Sequence, residues 1–175
     1  MNDYNKNKAK LSYDLKVDHK FFKKSRAFIL DSDNNLLAIK VHYTDGQKPD
    51  EYLIPGGGVD EGETSKQAAI REAEEEYNVK VKILAYLGKN YYHTMINYEG
   101  EEFKSNRVEY YYLCKVVETE KSDHMGIDGE FQEKNREYKK VKLSLDEVKK
   151  IEPKLLNNVN PKTYKRIIEI MENRK

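Results

Sequence analysis

Hydrophobic and polar positions change period several times along this chain, and each change marks an element. Ser25-Arg26-Ala27-Phe28-Ile29-Leu30 reads as a strand, and Leu36-Leu37-Ala38-Ile39-Lys40-Val41 as the returning arm of a hairpin. Between them, Asp31-Ser32-Asp33-Asn34-Asn35 is turn chemistry. Tyr43 to Asp50, with Asp45-Gly46 and Pro49, is a surface loop, and Glu51-Tyr52-Leu53-Ile54 is a short strand stopped by Pro55. Further strands are predicted at Val81–Leu87, Tyr91–Tyr98, Val108–Val117 and Glu137–Leu143. Between the last two, residues 118 to 136 form a polar stretch with no period, a length that usually marks a functional or disordered loop.

The helices announce themselves by their ends. Thr64 with Gln67 three residues on fits a capping box, so a helix is expected from Ser65 to about Tyr77, with Asn78 as a left-handed C-terminal cap. Ser144-Leu145-Asp146-Glu147 opens a second helix to about Ile151. Pro161 to Asn173 gives a third, with Tyr164, Ile167, Ile168 and Met171 at helical spacing. The expected class is α+β: a mixed β-sheet flanked by helices in an α/β/α sandwich. Residues 1–20 form a polar, Lys-rich arm and residues 21–175 a single domain. No internal repeat is visible.

Bulk composition narrows the functional classes. With 36% charged residues, a net charge of +1 and a pI near 7.7, no global field draws the protein to nucleic acid or an acidic membrane. No apolar run reaches membrane-spanning length, and the first twenty residues lack the apolar core of a signal peptide. Cys114 is the lone cysteine, so neither an intrachain disulfide nor a zinc-ligand spacing can form, which fits a reducing cytoplasm.

The chemistry concentrates in one segment. Glu72, Glu74, Glu75 and Glu76 crowd into five positions after the turn Ile54-Pro55-Gly56-Gly57-Gly58. Like charges three or four apart on a helix repel, so the cluster calls for a counter-charge, and a hard divalent cation is the usual one. At about 100° per residue, Glu72, Glu75 and Glu76 converge at the edge of an apolar stripe formed by Ala69, Ile70, Ala73 and Tyr77. Glu74 points away with Gln67 and Arg71. Glu63, just before the cap, is placed for an ion pair with Arg71. Acidic runs are usually solvated faces; the triple glycine and Gly62-Glu63 at fixed spacing set this one apart.

Gly57, Glu63, Arg71, Glu72, Ala73, Glu75, Glu76 and Val79 fall on the pattern of the Nudix box, and the segment resembles that family over 23 residues. Asn78 stands where the box ends in glycine, and Ala73 is small for its apolar position; since Asn also adopts the left-handed cap, function should be little affected. The resemblance implies a Nudix fold and a Mg²⁺-dependent hydrolase, with Mn²⁺ as substitute, acting on a nucleoside diphosphate linked to another group. It implies Glu72, Glu75 and Glu76 as metal ligands, with the Gly57 carbonyl as another, and Arg71 and Glu63 as their support. The general base is either Glu76 or a carboxylate of the late loop, with Glu130, Glu133 and Glu137 as candidates. The segment Leu53-Ile54-Pro55-Gly56-Gly57-Gly58-Val59 is similar to MutT-like nucleoside triphosphate pyrophosphatases. The proline-free stretch from Lys80 to Glu118 argues against the ADP-ribose subgroup, and no match to the coenzyme A or NADH subgroups is found.

Substrate contacts are weakly encoded. Phe21, Phe22, Tyr91 and Tyr92 are candidate stacking platforms, each more in keeping with a core or sheet-face role, and His93 could touch phosphate or base. Lys20, Lys23, Lys24 and Arg26 could bind phosphates, although a solvated face is the better reading of the run. Arg26, Tyr92 and His93 are carried forward as substrate-binding candidates. The partner expected is a small-molecule nucleotide, foremost a nucleoside triphosphate or modified nucleotide, with no strong nucleic-acid signal; a homodimer is left open, since no interface signature is visible in the sequence. The alternatives are a catalytically silent nucleotide-binding module, a hydrolase of dinucleoside polyphosphates or nucleotide sugars, and an RNA 5′-end pyrophosphohydrolase, for which the near-neutral charge gives no support.

Overall fold

The computed structural model describes residues 22–98, 101–119 and 135–174. Strand β1 (Phe22–Leu30) is the hub of a mixed sheet. It runs parallel to β6 (Glu101–Thr119) along its whole length, from Phe22↔Arg107 to Leu30↔Lys115. Its other edge is shared. At the top, Ile29 and Leu30 pair antiparallel with β2 (Leu36–Tyr43); at the bottom, Lys24, Ser25 and Arg26 pair with Gly58, Gly57 and Gly56 of β4 (Gly56–Gly58). The sheet therefore forks beside β1. Strand β2 continues the outer branch, pairing with β3 (Glu51–Leu53) and β7 (Arg136–Leu143). Strand β5 (Val79–Tyr98) pairs antiparallel with β6 on the far side.

Side-chain alternation along β1 splits the core in two. Ala27 and Ile29 face helix α1 (Ser65–Tyr77) and pack with its Ala69 and Ala73. Phe28 and Leu30 face the other way, towards Val148 of α2 (Leu145–Lys150) and Ile167 and Met171 of α3 (Pro161–Glu172). The result is the expected mixed sheet with helices on both faces. Tyr164 and Ile168 pack at the margin of the α3 contact, as their spacing predicts.

The three helices lie where their end signals put them. Thr64 accepts from the Gln67 backbone N–H while the Gln67 side chain accepts from the Thr64 N–H. Ser144 and Glu147 repeat the arrangement at α2. Asn78 takes φ 56°, ψ 42° and its N–H closes on the Glu74 carbonyl. Asn tolerates this left-handed geometry but glycine adopts it without steric cost. Asn78→Gly is therefore expected to change stability by no more than about 1 kcal/mol, because glycine's freer unfolded chain offsets the relief of strain. Urea denaturation of the two proteins checks this.

Two readings need correction. The expected strands at 81–87 and 91–98 are one strand, β5, with register shifts at Lys80/Val81, Ile83/Ala85 and Tyr86/Gly88. Gly88, at φ 128°, carries the chain through the last of these, so a break in period marks a bulge and not a turn. The Pro-Gly-Gly-Gly segment, read as a turn, pairs as β4. Its glycines show no hydrophobic period, so pairing there is invisible to periodicity. Of the long polar stretch, 120–134 lies outside the described residues, and with it Glu130 and Glu133; Phe21 and Lys20 also lie outside.

Candidate active site

The fork beside β1 brings β4 against the carboxylate face of α1. Glu72 is buried, at 9% exposure, with its carboxylate against Gly57. A Cβ at Gly57 would collide with the Glu72 carboxyl group, so glycine at 57 makes the room that this side chain occupies. Glu76 is half-buried and accepts a hydrogen bond from the Gly56 N–H at 2.8 Å. Gly56 sits at φ 154°, and a Cβ there would strike the Ser25 carbonyl and Arg26. The close approach of β4 to β1 thus requires glycine at 56.

Arg71 organises the remaining carboxylates. Its Nε and Nη2 donate to Glu63 at 3.0 Å each, a fork-on-fork pair. Its Nη1 donates to both Glu72 and Glu75 at 2.9 Å, and Nη2 also reaches the Gly58 carbonyl at 2.9 Å. The Glu63–Arg71 pair is as expected. The direction of Arg71 is not: helix-face sorting sent it out with Glu74, but its long stem curls back toward the N-terminal turn and its head joins the carboxylates. Glu74 is exposed, as expected. Glu75 is mostly exposed, and Arg71 is its tie to the cluster.

Charge and burial compete here. Burial pushes the Glu72 carboxyl above the usual range despite Arg71 beside it. Glu76 rises further, to about 7, chiefly through burial; the Gly56 N–H pulls the other way and neighbouring Glu72 adds to the rise. A carboxyl whose pKa is raised in the fold holds its proton more tightly folded than unfolded. Its stabilising contribution is fully present below its ordinary pKa of 4.5 and is lost as pH rises through about 7. In EDTA, the melting temperature is therefore expected to fall between about pH 5 and pH 7.5, and to fall less in Glu76→Gln, which has no such proton. Thermal melts across that range check the sign.

The carboxylates fit a hard divalent cation in kind: their oxygens are partly desolvated and sit against Gly56 and Gly57, where no further side chain has room. Among the described residues no three Asp, Glu, His or Cys side chains are gathered into a preformed ligand cage. Glu72 and Glu75 instead lean on Arg71 while Glu76 leans on Gly56.

The other candidates are spread out. Arg26 is not on a solvated face: its side chain is 14% exposed, with Nη1 donating to the carbonyls of Gly56 at 2.7 Å and Ile54 at 3.2 Å. Tyr92 is half-buried; its hydroxyl pairs with that of Tyr111 at 2.7 Å, and the Arg107 guanidinium stacks 4.6 Å from its ring centre. His93 is exposed on β5, 2.8 Å from Asn106 Oδ1. Phe22 packs near Gly58 and Tyr91 is half-exposed. Glu137 is exposed on β7, opposite His42 in register. Sequence reasoning missed the Gly56 N–H, which no side-chain pattern reports. It also missed Lys140 of β7, whose ammonium lies 5.2 Å from the Tyr77 ring centre and close enough to Glu76 to feel its charge.

With this geometry in view, the comparisons are consistent. The NUDIX domain family model matches residues 22–167, and the chain belongs to the Nudix family. Among solved structures it is similar to a NUDIX hydrolase from Nitrosomonas europaea, at 18% identity and TM-score 0.55, covering 89% of this chain and 91% of that one. It is also similar to a UDP-X diphosphatase, at 17% identity and TM-score 0.52, covering 95% and 71%. Both likenesses show the fold alone. No curated protein matches the chain. Among the described residues no helix is long and apolar enough to cross a membrane.

Proposed function

We propose that the protein hydrolyses the pyrophosphate bond of a nucleoside diphosphate linked to another group, foremost a nucleoside triphosphate or modified nucleotide, with Mg²⁺ and with Mn²⁺ as substitute. The observation that carries this is the seating of Glu72 and Glu76 on the Gly56-Gly57 backbone, with Arg71 binding Glu63, Glu72 and Glu75 into one unit. Glu72, Glu75, Glu76 and the Gly57 carbonyl would hold the cation. When bound, it supplies charge neutralisation for the diphosphate and acidifies water.

The chain's own groups do the rest. Glu76, held by the Gly56 N–H at the edge of the acidic cluster, is the leading candidate to take a proton from the attacking water. Water adds at phosphorus, the bridging P–O bond breaks, and a nucleoside monophosphate leaves. Glu137 is the other described candidate for the base. Arg71 limits the mutual repulsion of the acidic face, and Gly56 orients Glu76. Tyr92 and His93, on β5, remain the side chains proposed to contact the nucleoside. A cytoplasmic location is proposed on the lone cysteine, which can form no intrachain disulfide.

A panel of canonical and oxidised nucleoside triphosphates, nucleotide sugars and dinucleoside polyphosphates with Mg²⁺ or Mn²⁺ tests the proposal. Cleavage of at least one member at its pyrophosphate bridge is expected. Binding of panel members without any cleavage would make the protein a nucleotide-binding module instead.

A further inference from the structure

Arg26 does something the electrostatics of the site alone would not require. Its guanidinium lies against β4, where Nη1 spans two carbonyls, Ile54 and Gly56. The carbonyl between them, that of Pro55, accepts from the Ala27 N–H of β1 at 2.8 Å. Three successive carbonyls are thus fixed, and the N–H of Gly56, enclosed by them, points at Glu76 Oε2.

Arg26 is itself backed by a buried carboxylate. Glu109 of β6 is 1% exposed, with its Oε1 3.6 Å from Arg26 Nη2 and 3.2 Å from Arg107 Nε, and it accepts from the Tyr111 hydroxyl at 3.2 Å. A carboxylate buried this deeply needs its cations, so Glu109 and Arg26 hold each other in place. The contacts run from β6 through Arg26 and β4 to Glu76 on α1.

We propose that Arg26 is a positioning residue: it fixes the Ile54–Gly56 backbone whose Gly56 N–H orients Glu76 in the cation site, and it does not contact substrate. This rests on the metal-site reading above. Outer-layer partners of metal ligands typically contribute about 10- to 100-fold in metal affinity or activity.

The test compares wild type with Arg26→Gln. Mn²⁺ affinity of the substrate-free protein is read by electron paramagnetic resonance of free Mn²⁺, and kcat and KM are measured on a substrate found by the panel. The expected result is Mn²⁺ binding weakened about tenfold or more, kcat lowered about 10- to 100-fold, and KM within about threefold of wild type. A folded variant with unchanged Mn²⁺ affinity and kcat overturns the proposal. So does a raised KM with intact kcat, which would make Arg26 a substrate contact. If circular dichroism shows Arg26→Gln unfolded, Arg26→Lys decides by the same readings; the same losses are expected, because an ammonium cannot bridge two carbonyls as a guanidinium does. If wild type binds Mn²⁺ but cleaves nothing on the panel, the hydrolase reading fails, while the Mn²⁺ comparison still decides the role of Arg26.

Discussion

Glu76→Gln and Glu75→Gln are each expected to lower kcat at least about a hundredfold, or about 2.7 kcal/mol of transition-state stabilisation, with the fold intact. Loss of an outer partner of a metal ligand already reaches that size, so loss of a ligand should exceed it. The two variants should differ in their side effects. Glu75 is mostly exposed and tied to the cluster by Arg71, so removing its charge should leave the melting temperature nearly unchanged. Glu76 is half-buried with a raised pKa, so its glutamine variant should be as stable as wild type or more so near neutral pH, where the wild-type carboxyl must ionise in a desolvated place. Steady-state kinetics beside thermal melts separates the two effects. Lower activity accompanied by a collapse of the fold would place Glu76 in the architecture and not in the chemistry.

Arg71→Ala should carry the largest stability cost of any single change in the site. The guanidinium makes five hydrogen bonds, four of them to three carboxylates, and these hold its charge well above the usual arginine range. Truncation leaves Glu63, Glu72 and Glu75 facing one another with Glu72 buried. Charge-assisted bonds contribute about 1.5–3 kcal/mol each in isolation, but they are shared and the side chain is 29% exposed, so the net cost should be about 3 kcal/mol. For a chain of this size that lowers the melting temperature by roughly 6–12 °C. Arg71→Lys should recover only a minority of the loss, because lysine cannot form the fork-on-fork pair with Glu63. A calorimetric shift under about 1 kcal/mol for Arg71→Ala would show the cluster to be self-supporting.

What the sequence reveals and what it hides follow from the range of the interactions involved. Helix α1 could be placed to the residue because its signals are local: Thr64 and Gln67 cap each other across one turn, and Asn78 needs only its own backbone angles. Glu63 and Arg71 are likewise close in sequence and were read as a pair. The fork of the sheet is a different matter. Strand β4 consists of three glycines, and what makes it a strand is the edge of β1, which no pattern within residues 56–58 contains. Arg26 and Glu109 look like ordinary polar positions in alternating strands. They become buried because Phe22–Leu30 and Glu101–Thr119 pair in parallel, a contact over some eighty positions of chain. The continuity of β5 was missed for the opposite reason: bulges interrupt the alternation that would have announced a single strand.

The most direct measurement is hydrolysis in ¹⁸O-water with Mg²⁺, followed by ³¹P NMR of the products. The account predicts cleavage of a pyrophosphate bridge, one ¹⁸O atom per turnover in a phosphate product, and loss of the reaction on adding EDTA. Turnover that persists in EDTA, or a product carrying no ¹⁸O on phosphorus, would contradict it.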